Sequence, residues 1–242
     1  MKKHITPENL SGFCITNEVE GEIRALALEF PGLDGNSCLG GGYEKSVLES
    51  DFARRLGENG VLLVYVFTGP WNWMRDVARN MVDEIVNAVK EKYALPSDVK
   101  IITVGGSMGG LGALMYGANT KNKIDACAVS CPVSDLAVAY HLAPYWAATM
   151  YFAFGDCDGD LWDAIKYHSP VNRVDDMPDI PYFIICCDSD VPVPMEQHAS
   201  VLIERMKKAN KRVDYIVLEG MGHCEHTPEA MDKLVKFILD RV

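Results

Sequence analysis

The sequence predicts a single domain of the α/β class, a mostly parallel sheet with helices on both faces. Three observations predict it. From residue 22 onward short β-rich runs alternate with segments of helical period. The runs are apolar almost throughout, as strands covered on both faces are. The hydrophobic content, 48 % of 242 residues, is enough for a sizeable core.

In chain order, a weaker strand is expected over Phe13 to Val19, and stronger ones over Ile23 to Phe30, Val61 to Phe67, Val99 to Val104, Ile124 to Ser130, Tyr182 to Cys187 and Val213 to Leu218. Between them, Met74, Val77, Ala78, Met81, Val82, Ile85, Ala88 and Val89 recur at the three-and-four spacing that gathers side chains on one helix face. Val201, Leu202 and Met206 do the same for a later helix. Met231, Leu234, Val235 and Ile238 do so for the last one, where Thr227-Pro228 supplies an N-cap and a first-turn proline. Residues 132–168 read differently, with His141, Tyr145, Trp146, Met150, Tyr151, Phe152, Phe154 and Trp162 and no long period. This segment is expected to fold over the top of the sheet as a small helical cap, the alternative being ordinary connecting helices packed on the body.

Composition excludes several classes. Lys plus Arg number 23 against 34 Asp plus Glu, a net charge of −11, which repels nucleic-acid backbones and anionic lipid surfaces. No window approaches a membrane span. Met1 to Leu10 carries Lys2 and Lys3 without an apolar run behind them, unlike a secretory signal. Eight cysteines, several within apolar strand-like runs, are then expected to be reduced thiols of a cytoplasmic protein. A homo-oligomer stays open.

The chemistry is carried by Val99-Lys-Ile-Ile-Thr-Val104 followed by Gly105-Gly-Ser-Met-Gly-Gly110 and the apolar run from Leu111, read as strand, sharp turn and helix with Ser107 at the tip. Small residues two before and two after the serine are required because such a turn brings neighbouring backbone close; Gly105 and Gly109 supply them. A serine hydroxyl needs a base to take its proton, and in this arrangement an acid and a histidine follow it in chain order. The Tyr182 to Cys187 strand ends in Asp188-Ser-Asp-Val-Pro-Val-Pro194, and Val213 to Leu218 leads into Glu219-Gly-Met-Gly-His223. Both Asp188 and Asp190 lie within three residues of the strand. Asp190 is preferred because it stands further into the loop, ahead of prolines that stiffen it.

From about residue 99 to the C-terminus the chain resembles the catalytic domain of the prolyl-oligopeptidase-type and dienelactone-hydrolase-like α/β hydrolases. The matching pieces are Gly105-Gly-Ser-Met-Gly-Gly110, Ser169-Pro-Val-Asn-Arg-Val174, Asp190-Val-Pro-Val-Pro194 and Gly220-Met-Gly-His223. The resemblance implies the α/β-hydrolase fold, with Ser107 as nucleophile, Asp190 as acid and His223 as base. Where relatives often carry His-Gly, this chain has Phe30-Pro-Gly-Leu-Asp-Gly35. A backbone N–H is what the oxyanion requires, so Leu33 is expected to serve together with Met108, with Gly32 and Asp34 as neighbouring alternatives.

The expected activity is hydrolysis of small carboxylic esters through an acyl-enzyme, without a cofactor. A small peptidase or amidase, a thioesterase or acyltransferase, and a catalytically silent binding module on the same fold are the alternatives. No β-propeller precedes the catalytic part of this sequence, which weighs against a peptidase. Trp71 and Trp73, after the Val61 to Phe67 strand, and Trp146 are expected to wall a substrate pocket favouring short or aromatic acyl groups; stapling the next helix is the other role for the first two. His223-Cys-Glu-His226 lacks the spacing of a helical zinc pair, and no metal is expected there. Asp156-Cys-Asp-Gly-Asp160 reads as a solvated acidic turn.

Overall fold

The computed structural model describes residues 4–33, 43–157 and 159–242. Asp34, Cys38 and Asp158, each considered above, lie outside them. The sheet is built from β1 (Cys14–Thr16), β2 (Ala25–Phe30), β3 (Val61–Val66), β4 (Lys100–Gly106), β5 (Ala126–Ser130), β6 (Pro181–Cys187) and β7 (Arg212–Leu218). Its spatial order is β1-β3-β2-β4-β5-β6-β7, with β1 antiparallel to β3 and every other pair parallel. Each expected strand is present. The first shrinks to three residues because it pairs on one side only, with Cys14 opposite Val66 and Thr16 opposite Val64.

Strand alternation divides the core in two. Leu26, Leu28, Phe30, Leu62 and Val64 face one layer, with α3 (Asp76–Lys92), α4 (Met108–Asn119) and α8 (Ala199–Lys208). Ala25, Ala27, Val61, Leu63 and Tyr65 face the other, with α2 (Asp51–Gly57) and α9 (Pro228–Leu239). The period-two rule thus decides which residue meets which layer. The helix α3 begins later than its apolar spacing predicts: Met74 lies before it and Val77 is exposed, while Ala78, Val82, Ile85, Ala88 and Val89 are buried as expected. At α9 the Thr227 hydroxyl accepts the Ala230 N–H at 3.2 Å, the expected cap. The helices α1 (Tyr43–Leu48) and α2 carry too few turns for the periodicity to have marked them.

Residues between β5 and β6 form α5 (Leu136–Leu142), α6 (Pro144–Phe154) and α7 (Leu161–Tyr167). Their buried faces, with Leu136, Met150, Phe154 and Ile165, join the larger of the two core clusters. Tyr145, Tyr151 and Phe152 of α6 remain exposed. Asp160 caps α7 through the Trp162 N–H at 2.7 Å, which gives that end of the acidic turn a structural role.

Candidate active site

The strand β4 runs directly into Ser107, which takes φ 57° and ψ −125° before Met108 opens α4. A left-handed φ on a non-glycine residue is strained and has to be held by its surroundings. Here the Ser107 N–H donates to the Ser130 carbonyl at 3.0 Å, and the Ser107 carbonyl accepts from Val133 at 3.1 Å and Leu111 at 3.2 Å. The two flanking glycines are required by contact distance. A Cβ on Gly105 would lie 2.4 Å from the Gly109 carbonyl oxygen, and one on Gly109 would lie 2.0 Å from that of Phe30.

On the next strands, the structure separates the two carboxylates. Asp190 is buried; its Oδ1 accepts the Val193 N–H at 2.8 Å and its Oδ2 lies 2.7 Å from His223 Nδ1. Asp188 instead accepts the Gly220 N–H at 2.7 Å, and its own N–H donates to the Leu218 carbonyl, so it ties the end of β6 to the turn after β7. With Nδ1 on Asp190, His223 presents Nε2 to the opposite side. Burial pulls the His223 pKa down, but the hydrogen bond and charge of Asp190 outweigh it, and the imidazole lies above its ordinary value.

Ser107 and His223 open onto one cleft of about 480 Å³, walled by Leu33, Pro31, Tyr145 and Trp146. Met108 adjoins Ser107, and as first residue of α4 its N–H is one of the four that no helix carbonyl reaches. Leu33 lines the cleft beside Ser107 and Met108 directly follows Ser107 in the chain. Of the three tryptophans expected at the pocket, Trp146 lines it and the other two do not. Trp73 is fully buried, donating from Nε1 to Thr149 at 3.1 Å and meeting Trp146 edge-on at 6.2 Å, so it fastens the start of α3 to α6. Trp71 sits in a separate groove with Asn72, Arg75 and Phe152. Both residues take a positive φ, 55° at Trp71 and 46° at Trp73. Tyr145, in the first turn of α6 and not singled out as a pocket residue by the sequence, lines the cleft as well.

The remaining histidines go elsewhere. His226 Nε2 lies 2.8 Å from Ser130 Oγ and does not join His223 in a pair of ligands. Buried His198 accepts the Ser134 and Asp135 N–H groups on Nδ1, each at 3.3 Å, and buried His168 stacks on Phe154 at 4.7 Å. Cys186 and Cys187 end β6, where burial pushes both thiols up to about 12, far from a thiolate nucleophile. The sequence did not foresee that Cys131 and Cys224 would meet beside His223. They are far apart in the chain, and only the parallel order of β5, β6 and β7 brings them together.

The description of the prolyl oligopeptidase family matches residues 71–240. The chain belongs to that family, and its fold is that of the α/β hydrolases. No curated protein matches it. Among solved structures it is similar to a puromycin-hydrolysing peptidase of Mycobacterium tuberculosis, with 16 % identity and TM-score 0.67 over 92 % of this chain and 34 % of that one. A lipase in its open form is 16 % identical with TM-score 0.67, covering 94 % and 93 % of the two chains. An esterase of Thermogutta terrifontis is 16 % identical with TM-score 0.64, covering 94 % and 87 %. The chain thus spans about a third of the length of the peptidase and nearly all of the lipase and the esterase. No helix among the described residues is long and apolar enough to cross a membrane.

Proposed function

We propose that the protein hydrolyses small carboxylic esters through an acyl-enzyme on Ser107. The observation that carries this reading is the union in one cleft of a serine on a strained strand-to-helix turn and a histidine whose far nitrogen is held by a buried carboxylate. His223 Nε2 takes the Ser107 proton as the hydroxyl attacks the carbonyl carbon, then gives it to the departing alkoxide. Water repeats the sequence on the acyl-enzyme and returns free serine and acid. Asp190 fixes the tautomer and steadies the imidazolium. The Leu33 and Met108 N–H groups hold the oxyanion, each worth about 3 kcal/mol in a dry site. The cleft's volume and its aromatic wall of Tyr145 and Trp146 suit short or aromatic acyl groups. The matched lipase and esterase support ester substrates; a reducing, cytoplasmic setting suits the free thiols.

The family favours a second reading, hydrolysis of a peptide or other amide by the same residues. One experiment separates the readings and tests both: fluorophosphonate labelling of wild type and Ser107→Ala, with a substrate panel of short-chain, long-chain and aromatic esters and peptide anilides. Labelling and ester turnover lost in Ser107→Ala, with short or aromatic esters fastest in wild type, is the expected result. Peptide anilides outrunning all esters would establish the amidase. Wild-type turnover in Ser107→Ala would remove the serine mechanism altogether.

A further inference from the structure

Three soft or borderline donors meet beside the histidine: Cys131 Sγ, Cys224 Sγ and a ring nitrogen of His223 all lie within 4.8 Å of one another. The proposed reaction uses only one of them. Cys131 follows β5 at φ 43°, and Cys224 follows His223 at φ 56°. Both cysteines thus sit at left-handed positions, one directly after β5 and the other in the turn after β7. Their other contacts are weak. Cys224 Sγ lies 3.7 Å from the Ser130 carbonyl and Cys131 Sγ 3.9 Å from Ser130 Oγ, long even for sulfur.

We infer that Cys131, Cys224 and His223 form an inhibitory site for a thiophilic divalent cation, zinc above all. Tetrahedral zinc, with Zn–S of about 2.3 Å and Zn–N of about 2.0–2.1 Å, sets neighbouring donors roughly 3.5–3.8 Å apart. Cys224 Sγ and His223 Nε2 already stand 3.9 Å apart. The two thiols, within 4.8 Å of one another, need to close by no more than about an ångström.

The strongest argument is the carboxylate behind the imidazole. Metal-bound histidines characteristically give their other ring N–H to a carboxylate, which fixes the tautomer and raises the basicity of the ligating nitrogen. Asp190 does this for His223 at 2.7 Å. The arrangement that makes Nε2 a base for Ser107 therefore also makes it a metal ligand. Cys131 and Cys224 complete a three-ligand set, and the cleft into which His223 opens leaves room for water as the fourth. Binding places Zn²⁺ against two thiolates and a neutral imidazole, releasing to solvent the thiol protons. The Nε2 lone pair is then engaged, and His223 has nothing with which to accept the serine proton. His226, three residues on, turns to Ser130 and lies outside this cluster, whereas Cys131, one residue past β5, belongs to it.

The inhibition, though not the binding, rests on the serine-hydrolase reading, so binding is measured apart from activity. The chelator-free protein, kept reduced with a phosphine, is dialysed against Zn²⁺ and its metal content determined, and Co²⁺ is added to a second sample as a spectroscopic probe. One zinc per chain, a thiolate-to-cobalt charge-transfer band, and ester hydrolysis lost in proportion to occupancy and restored by EDTA are expected. Cys131→Ser should keep its hydrolysis and bind zinc at least ~10-fold more weakly, since even lesser changes around a metal cost that much. Cys224→Ser should weaken binding likewise, which keeps the test decisive if one variant fails to fold. No retained zinc in wild type, or wild-type zinc affinity in both variants, overturns the site. Full hydrolysis with zinc bound overturns its inhibitory role. Zinc held by both thiols in a protein that neither labels with fluorophosphonate nor hydrolyses esters leaves the site standing and removes the hydrolase reading instead.

Discussion

In the proposed mechanism the acid must hold one imidazole nitrogen in place, and the two aspartates after β6 stand only two residues apart in the chain. Yet Asp188 accepts a backbone N–H of the β7 turn and Asp190 is buried against His223. The reason is visible in the chain. Asp188 still follows the strand, with its N–H on Leu218, whereas Asp190 has entered the turn that Pro192 and Pro194 stiffen, and its second oxygen is fixed by the Val193 N–H. Asp190→Asn should therefore reduce kcat on the order of 10³- to 10⁴-fold, the loss known for the equivalent change in the chymotrypsin-type triad, because the amide favours the wrong tautomer. Asp188→Asn keeps an oxygen acceptor for the Gly220 N–H and should cost less than about tenfold. Steady-state kinetics on both folded variants decide it; the reverse order would reassign the acid and leave the nucleophile untouched.

At the level of elements, the nucleophile turn is the place where fold and chemistry are the same thing. The helix α4 can start immediately after β4 only because Gly109 passes within touching distance of the Phe30 carbonyl at the end of β2. Gly109→Ala would press a methyl group 2.0 Å from that oxygen, and every atom it meets, on Phe30 and Pro31, is backbone, so the turn must open. We expect a loss of several kcal/mol of stability, or no folding, together with loss of fluorophosphonate labelling. Urea unfolding and labelling of the soluble fraction measure both, and wild-type values would show that the turn is looser than its geometry. The same turn explains what the sequence made legible. Its glycines, serine and flanking apolar run are local, as are the Thr227-Pro228 start of α9 and the apolar run of β2, and each could be read before the fold was known. Trp71 and Trp73 could not, because their positive φ is imposed by the path from β3 into α3 and no spacing records it. Nor could the meeting of Cys131 with Cys224, which depends on which strands lie side by side.

Over the whole molecule, ionisable groups taken into the core tie stability to pH in opposing directions. His168 and His198 are buried, and burial, the largest cause, lowers each from 6.5 to about 4. At His168 the charge of Asp76 works upward against Arg173 and Arg79, and burial still prevails. A depressed folded-state pKa means that the contribution is fully present above about 6.5 and is lost as pH falls toward about 4, since only the unfolded chain accepts the proton freely. Glu29, on the other face of the sheet, is raised by burial to about 7, so its contribution is present at low pH and is lost as pH rises through that value. The unfolding free energy of the wild type is the sum of these, and a flat profile would hide both. A difference between two proteins isolates one group. His168→Phe replaces the imidazole by a ring that can keep the stack on Phe154, now 4.7 Å away and tilted by 18°, while removing a buried Nδ1 that has no hydrogen-bond partner. The wild type should lose about 2 kcal/mol relative to this variant between pH 7 and pH 5, from the linkage slope of roughly 1.4 kcal/mol per pH unit acting below the unfolded value. Urea unfolding of both proteins at pH 7, 6 and 5 measures the difference directly. Parallel stability curves would mean that His168 takes up its proton within the folded protein as readily as in the unfolded chain, and that the cavity around it admits water.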